Sequence, residues 1–437
     1  MDYAILCNPG HNRVYYDASL KMAIPELMIA GNGIVDESGC DRLERIGGVE
    51  YIVFRSGGAR GGEGAGADDE GGAGAGAGYG VHDGADGTYT ECESRGGALT
   101  DRQLSILSKL SFIFALFEIR EIDGTIYLKP IELVKDDFID GSISGILKYT
   151  GKTNEIFTKL LINVAYYTYI NSNADTQRAP HQNDISVGRD AHIAPHMKSD
   201  VPYPNNTSVG RDALIAPHRD SECVGRNVRL FDPVAGKGTT LFEGLVRGFD
   251  VYGIEIGSKV VNESTIFLKK FLETARYKFS YSSTKMSGAN KSYTAIRHLF
   301  VTAKNKEELK SKNTKTIEMV AGNSLYANQL YKKGFFDIIA GDLPYGVQHA
   351  NVTNEKQSSF TRNPEELLAA CLPSWLDVLK NGGVIALSWN RNVLPRENIV
   401  RQLAANGVAV LDEGAYAQFA HRVDQSIWRD VVVGIKN

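Results

Sequence analysis

Closely paired cysteines are missing from this 437-residue chain: Cys7, Cys40, Cys92, Cys223 and Cys371 stand far apart. Without a C-x-x-C pair there is no structural zinc cluster and no thiol redox motif, and the thiols are expected to stay free in a reducing cytoplasm. No apolar run approaches the ~20 residues that cross a bilayer. The start carries Asp2 where a secretory signal would be basic, so neither a membrane span nor a signal peptide is expected. With 43% hydrophobic and 23% charged residues, wholesale disorder and fibrous classes are excluded.

A strong overall charge is also lacking, but the net −4 averages two opposed regions. Residues 56–98 carry eight acids against Arg60 and Arg95 and hold 16 of the 45 glycines. With almost nothing apolar to bury, this stretch is expected to be a disordered insertion. Residues 259–315 carry eleven lysines and two arginines against four glutamates, which makes them a candidate polyanion-binding surface. Phe267, Phe271, Tyr277, Phe279, Tyr281, Tyr293 and Phe300 are interleaved there. Rings for unpaired bases beside cations for phosphates suit RNA, although Phe267 and Phe271, four apart on a helix, suit a core.

Around the insertion, residues 3–6, 51–54, 112–119 and 124–129 read as strands, the last two as a hairpin, and 18–30 as a helix. They predict a small N-terminal α+β domain over 1–150. A helix over 154–169 opens a linking segment, 151–226, in which Ser186–His196 recurs as Ser208–His218 at ten of eleven positions. Two copies are too few for a solenoid. His181, His192, His196 and His218 lie there, but Pro195 breaks the helix that would pair two of them, so no metal site is expected.

From 227 to the C-terminus, strands alternate with helices: 228–232, 250–256, 317–321, 336–342, 384–389, 408–411 and 427–435, with helices over 239–247, 259–274, 324–332, 365–380 and 396–405. This α/β pattern predicts a Rossmann-like, mostly parallel seven-stranded sheet.

Two motifs carry the chemistry. Leu230-Phe-Asp-Pro-Val-Ala-Gly-Lys-Gly-Thr-Thr240 follows a strand and opens a helix. Gly236 and Gly238 permit a tight turn against a ligand, and Asp232 can accept from a cofactor's amino group. A Walker A loop is excluded: no Gly-Lys-Ser/Thr closes this turn, and Gly151-Lys-Thr153 has Ile146 where the first glycine belongs. Glu255, 23 residues beyond Asp232, is placed to grip ribose hydroxyls. The pair suits NAD or S-adenosylmethionine (SAM); G-x-G without a third glycine, and Pro233 after the acid, favour SAM. The second motif, Asp342-Leu-Pro-Tyr-Gly346, ends a strand.

Asp232-Pro-x-x-Gly-x-Gly-Thr, then an acid, then D-x-P-Y, resembles the class I SAM-dependent methyltransferases of exocyclic amino groups. Asp342-Leu-Pro-Tyr-Gly-Val-Gln-His349, the closing His421-Arg-Val-Asp-Gln-Ser-Ile427 and, weakly, Asn8-Pro-Gly-His-Asn12 are similar to the tRNA guanine-N2 methyltransferases usually associated with THUMP domains. The resemblance covers residues 225–437; a THUMP domain is not recognisable in the N-terminal part. It implies that the Asp342 side chain and the Pro344 carbonyl accept the protons of a conjugated amine, that Tyr345 stacks on the target base, and that Asp232, Pro233, Gly236, Gly238, Thr239, Glu255, Asn323 and Ser324 bind SAM. Leu343 replaces the pattern's first proline, and Asn323 replaces the commoner Asp. Asn323 or Ser324 is as well suited to cap a helix. The expectation is a cytoplasmic SAM-dependent RNA methyltransferase, acting on guanine N2 of tRNA. A DNA adenine-N6 or cytosine-N4 enzyme, a protein glutamine methyltransferase, or a non-catalytic RNA-binding protein with a degenerate fold stay open.

Overall fold

The computed structural model describes residues 1–8, 13–35, 42–57, 97–147, 152–178, 227–346 and 363–437. Most of the Gly-rich stretch, the duplicated segment with its histidines, residues 9–12 and residues 347–349 lie outside the described residues.

Five antiparallel strands form the first sheet, in the order β2-β3-β1-β4-β5: β1 (Asp2–Cys7), β2 (Arg42–Ile46), β3 (Val49–Arg55), β4 (Ile113–Ile122) and β5 (Thr125–Ile131). The expected hairpin turns at Asp123 and Gly124, both at positive φ, which matches the twist of the flanking strands. Helices α1 (Arg13–Ala30), α2 (Asp101–Ser108) and α3 (Ser142–Ile146) accompany it. Neither β2 nor α2 is predicted from sequence; α2 begins at a reciprocal cap between Thr100 and Gln103. Helix α4 (Glu155–Arg178) runs past its predicted end. It packs on α1 and on the larger sheet, and Leu160, Val164 and Ala165 share one hydrophobic cluster with Leu27 of α1 and Ile338 and Val384 of that sheet.

The larger sheet alternates with helices along the chain: β6 (Arg229–Asp232), α5 (Thr239–Val246), β7 (Asp250–Glu255), α6 (Ser258–Thr274), β8 (Lys278–Ser287), β9 (Thr294–Ala303), α7 (Lys306–Lys310), β10 (Lys315–Ala321), α8 (Ala327–Leu330), β11 (Phe336–Asp342), α9 (Pro364–Val378), β12 (Leu379–Asn390), α10 (Arg396–Ala405), β13 (Val408–Leu411), β14 (His421–Arg422) and β15 (Trp428–Lys436). The order is β13-β15-β12-β11-β6-β7-β10-β9-β8, with β14 paired to β15. Strands β12, β11, β6, β7 and β10 are parallel, and β15 is antiparallel to β12.

All seven predicted strands are present, in a Rossmann-like order, but the sheet is larger than predicted. The β8–β9 hairpin extends it beyond β10, antiparallel to that strand. The helix expected over 324–332 is a tight turn, Ser324–Tyr326, followed by the short α8.

The parallel strands read as unbroken apolar runs because both faces are covered. Successive residues go to opposite cores: Leu230, Val251, Met319 and Ile338 to one, and Phe231, Tyr252, Val320 and Ile339 to the other. No helix among the described residues is long and apolar enough to cross a membrane.

Candidate active site

The chain runs outward from β6 through β7 to β10 on one side and from β11 to β12 on the other. The order therefore reverses between β6 and β11, and ligands of such sheets bind outside the carboxyl ends of the strands at that point. Asp232 ends β6 and Asp342 ends β11; these strands pair through Ile338–Leu230 and Ile339–Phe231. Glu255 ends β7 and Asn323 follows β10, so the two sequence motifs meet at one sheet edge.

A cavity of about 260 Å³ opens there, lined by Pro233, Glu255, Asn323, Ser324, Asp342 and Pro344, with Ile254, Ile256, Leu325, Leu367 and Ala370 among its apolar walls. Gly236, Gly238 and Thr239 are not part of that lining. Asp232 is outside it as well. Gly236 and Gly238 adopt positive φ, 51° and 88°, conformations that favour glycine. Gly253 is needed for another reason: a Cβ there would stand 2.7 Å from Ala235 Cβ and 2.8 Å from Leu241 Cδ1. Gly253→Val therefore forces the loop off β7. Loss of ~2 kcal/mol of stability is expected, together with loss of ligand binding at the cavity, read by thermal unfolding with and without SAM; unchanged melting would contradict this packing.

Electrostatically the cavity is acidic, and no lysine or arginine lines it. Asp232 is buried; its Oδ1 accepts from Val234 N at 2.9 Å, and burial pushes its carboxyl up to about 7. Glu255 accepts from Gly236 N at 3.1 Å and from Gly257 N at 2.7 Å, and burial raises its pKa as well. Asn323 caps the turn, its Oδ1 accepting from Leu325 N at 2.9 Å. Its capping role is thus realised, and the amide NH2 is left to donate. Ser324 is buried, and its carbonyl accepts from Trp375 Nε1 at 3.2 Å.

Asp342 is held by hydroxyls. Tyr345 Oη donates to both carboxylate oxygens (2.6 and 2.7 Å) and Thr153 Oγ1 to Oδ2 at 2.5 Å. A carboxylate offers about four lone-pair sites, so one is still open to a substrate N–H. Thr153, the last residue of the Gly151-Lys-Thr153 stretch that fails as a phosphate loop, reaches this site from the segment before α4. Leu343 stands where the resemblance expects proline, and its N–H donates to Ser388 O at 2.8 Å. Proline has no N–H, so this hydrogen bond ties down the loop in place of a ring. Asn390 Nδ2 donates to the Tyr345 carbonyl at 3.3 Å and to the Ser426 carbonyl at 3.1 Å.

Two further groups come from the closing motif and the strand after it. His421 is buried, its ring 5.4 Å from that of Phe157, and burial pushes its pKa down to about 4, so it is neutral. Arg429 lies over the rings of Phe157 and Tyr345, at 4.4 and 5.2 Å. Thr153, Asn390 and Arg429 escape sequence reasoning; the Thr-Asn pair before a helix, the Asn that ends β12 and the Arg near the start of β15 are the local signals.

The aromatic residues of the basic stretch do not form a ladder of free rings. Phe267, Phe271, Tyr277, Phe279 and Phe300 pack in or against one core and Tyr293 against the other; Tyr281, 40% exposed, stacks on His298 and meets Phe300 at a tilt. The lysines behave otherwise: of the eleven, all but the half-buried Lys315 are exposed. Among the described residues no cluster of metal-ligating side chains occurs, and Cys7 and Cys371 are buried free thiols.

No family model matches the chain, and no curated protein matches it. Solved structures do. Magnesium protoporphyrin IX methyltransferase from Synechocystis PCC 6803, with bound SAM, is 12% identical at a TM-score of 0.29, over 66% of this chain and 87% of that one. Spermidine synthase from Thermotoga maritima is 14% identical at 0.26, over 49% and 56%. The 16S rRNA N2 G1207 methyltransferase of T. thermophilus, in complex with AdoMet and guanosine, is 13% identical at 0.24, over 48% and 35%. Likeness at this level carries no argument about the reaction; the fold stands on the strand order itself.

Proposed function

We propose that the protein is a SAM-dependent methyltransferase of an exocyclic amino group in RNA, guanine N2 of tRNA, working in the cytoplasm. Residues 227–437 form the methyltransferase domain, 151–226 a linking segment and 1–150 an N-terminal domain. The observation that carries this reading is the acidic cavity at the strand reversal, lined by Asp342, Pro344 and Glu255. A dinucleotide would bring a pyrophosphate to a cavity without a cation, against two lining carboxylates. A sulfonium with an ammonium group suits that charge.

In this reading Glu255 accepts from ribose hydroxyls, Asn323 donates its amide to the adenine, and Ile256 and Leu325 cover the ring. Asp232, with Pro233 and the turn of Gly236, Gly238, Thr239 and Ser324 around it, fixes the amino-acid end. Bound SAM supplies an electrophilic methyl group. A base amine is a poor nucleophile because its lone pair is delocalised into the ring. Asp342 and the Pro344 carbonyl accept hydrogen bonds from its two N–H groups and draw the nitrogen toward tetrahedral geometry. As the N–CH3 bond forms and S-adenosylhomocysteine leaves, the preorganised carboxylate favours the positive charge that develops there and takes the one surplus proton. Thr153 keeps Oδ2 fixed while Tyr345, whose carbonyl Asn390 holds, meets the base. The exposed lysines of α6, the β8–β9 hairpin and α7 suit the phosphates of an RNA.

Incubation with tritiated SAM and either tRNA or DNA, followed by nucleoside analysis, tests this. N2-methylguanosine from tRNA is expected; label found only in DNA would reject the RNA assignment.

A further inference from the structure

Arg429 is buried beside this site with no counter-ion among the described residues. It is 4% exposed, on β15, paired in register with Asn390 and His421. Its neighbour Asp430 points to the opposite face and is engaged by Arg396 and Arg391. Arg429 itself has no carboxylate partner among the described residues, and its Nε has no hydrogen bond. Phe157 and Tyr345 cover it through ring contacts, and a ring face takes none of the in-plane N–H donors of a guanidinium. His421, the other titratable group against it, is neutral. Asp342, beyond Tyr345, is engaged by Thr153 and Tyr345.

A buried cation without a counter-ion is costly. A fold that keeps one beside the substrate end of a site gains only if a ligand brings the acceptors. We propose that Arg429 anchors the substrate nucleotide by donating its in-plane N–H groups to an acceptor edge that the nucleotide carries, either a phosphate oxygen or the O6/N7 edge of the target guanine. Both present oxygen or nitrogen acceptors in the planar, two-point arrangement a guanidinium matches. Asp342 would then take the donor group of the nucleotide and Arg429 its acceptors. This inference rests on the methyltransferase reading above.

The test compares Arg429→Met and Arg429→Lys with the wild-type chain. For Arg429→Met a melting temperature equal to or above wild type is expected, because a cation lacking a counter-ion has been removed. SAM affinity by calorimetry should be unchanged, and kcat/KM on a tRNA transcript should fall by about 10- to 100-fold. Arg429→Lys should recover part of that loss. The slope of log affinity for tRNA against log salt separates the two acceptors. A slope smaller by about 0.7 to 0.9 identifies a phosphate; an unchanged slope points to the base edge, which is read with 7-deazaguanosine at the target: it lacks N7 but keeps O6, so the gap between wild type and Arg429→Met should narrow. A variant that melts several degrees lower, or that keeps full kcat/KM on tRNA, overturns the proposal. Failure of the underlying reading looks different: the wild-type chain itself would bind no SAM or leave tRNA unmethylated.

Discussion

Asp342→Asn is expected to lower kcat for methyl transfer by on the order of 10²- to 10³-fold, the usual effect of removing one preorganised group from a developing charge, with SAM affinity nearly intact. The geometry separates the two quantities. Asp342 lines the cavity with Pro344, whereas in the proposed function the rest of the cofactor is assigned to Glu255 at the end of β7 and to the turn after β6. An amide in place of the carboxylate keeps an acceptor for Thr153 and Tyr345 but loses the negative charge. Single-turnover transfer from labelled SAM measures the first quantity and calorimetry the second. Equal loss of both would place Asp342 in cofactor binding and remove its catalytic assignment.

Asp232→Ala should do the reverse: a 10- to 100-fold weaker affinity for SAM, the worth of one charge-assisted hydrogen bond. pH provides an independent signature. In the ligand-free protein burial holds the Asp232 carboxyl up to about 7, against 3.8 ordinarily. Pairing with an ammonium group requires the carboxylate, so wild-type affinity should weaken as pH falls below about 7, and Asp232→Asn should abolish that dependence. Stability responds with the opposite sign from an ordinary surface carboxylate. Between about 4 and 7 the folded state keeps a proton that the unfolded chain has lost, so this group makes the ligand-free protein less stable as pH rises through that window. The melting temperature of Asp232→Asn relative to wild type should accordingly rise from pH 5 to pH 7.5; a constant difference would contradict a raised pKa.

Five of the seven strands are legible in the sequence because a parallel strand covered on both faces is mostly apolar, and the antiparallel β13 and β15 because Val408–Leu411 and Val431–Val433 are apolar runs. The motif residues are legible because the strand ends they occupy converge whatever the loops do. The β8–β9 hairpin is not legible: at the sheet's edge Lys278–Ser287 has mostly exposed side chains, so neither alternation nor an apolar run marks it, and its charges read as a surface first. The rings interleaved there look like base platforms when only composition is seen. Packing claims them instead, since Phe300 is fully buried, Phe267 packs on Phe242 of α5 and Phe271 on Phe267 and Tyr277. Thr153 and Arg429 lie 189 residues before and 87 residues after Asp342 in the chain, and only the tertiary fold brings them to it. Leu343 shows how a departure from a motif is accommodated: an N–H that proline lacks supplies the hold.

Calorimetric titration of SAM into the wild-type chain at pH 7.5 tests the central claim most directly, that the crevice between β6 and β11 holds a sulfonium cofactor against the Asp342 carboxylate. One SAM per chain is predicted, with affinity in the micromolar range and competition by S-adenosylhomocysteine. An absence of binding heat across temperatures, with no shift in melting on adding SAM, would contradict it.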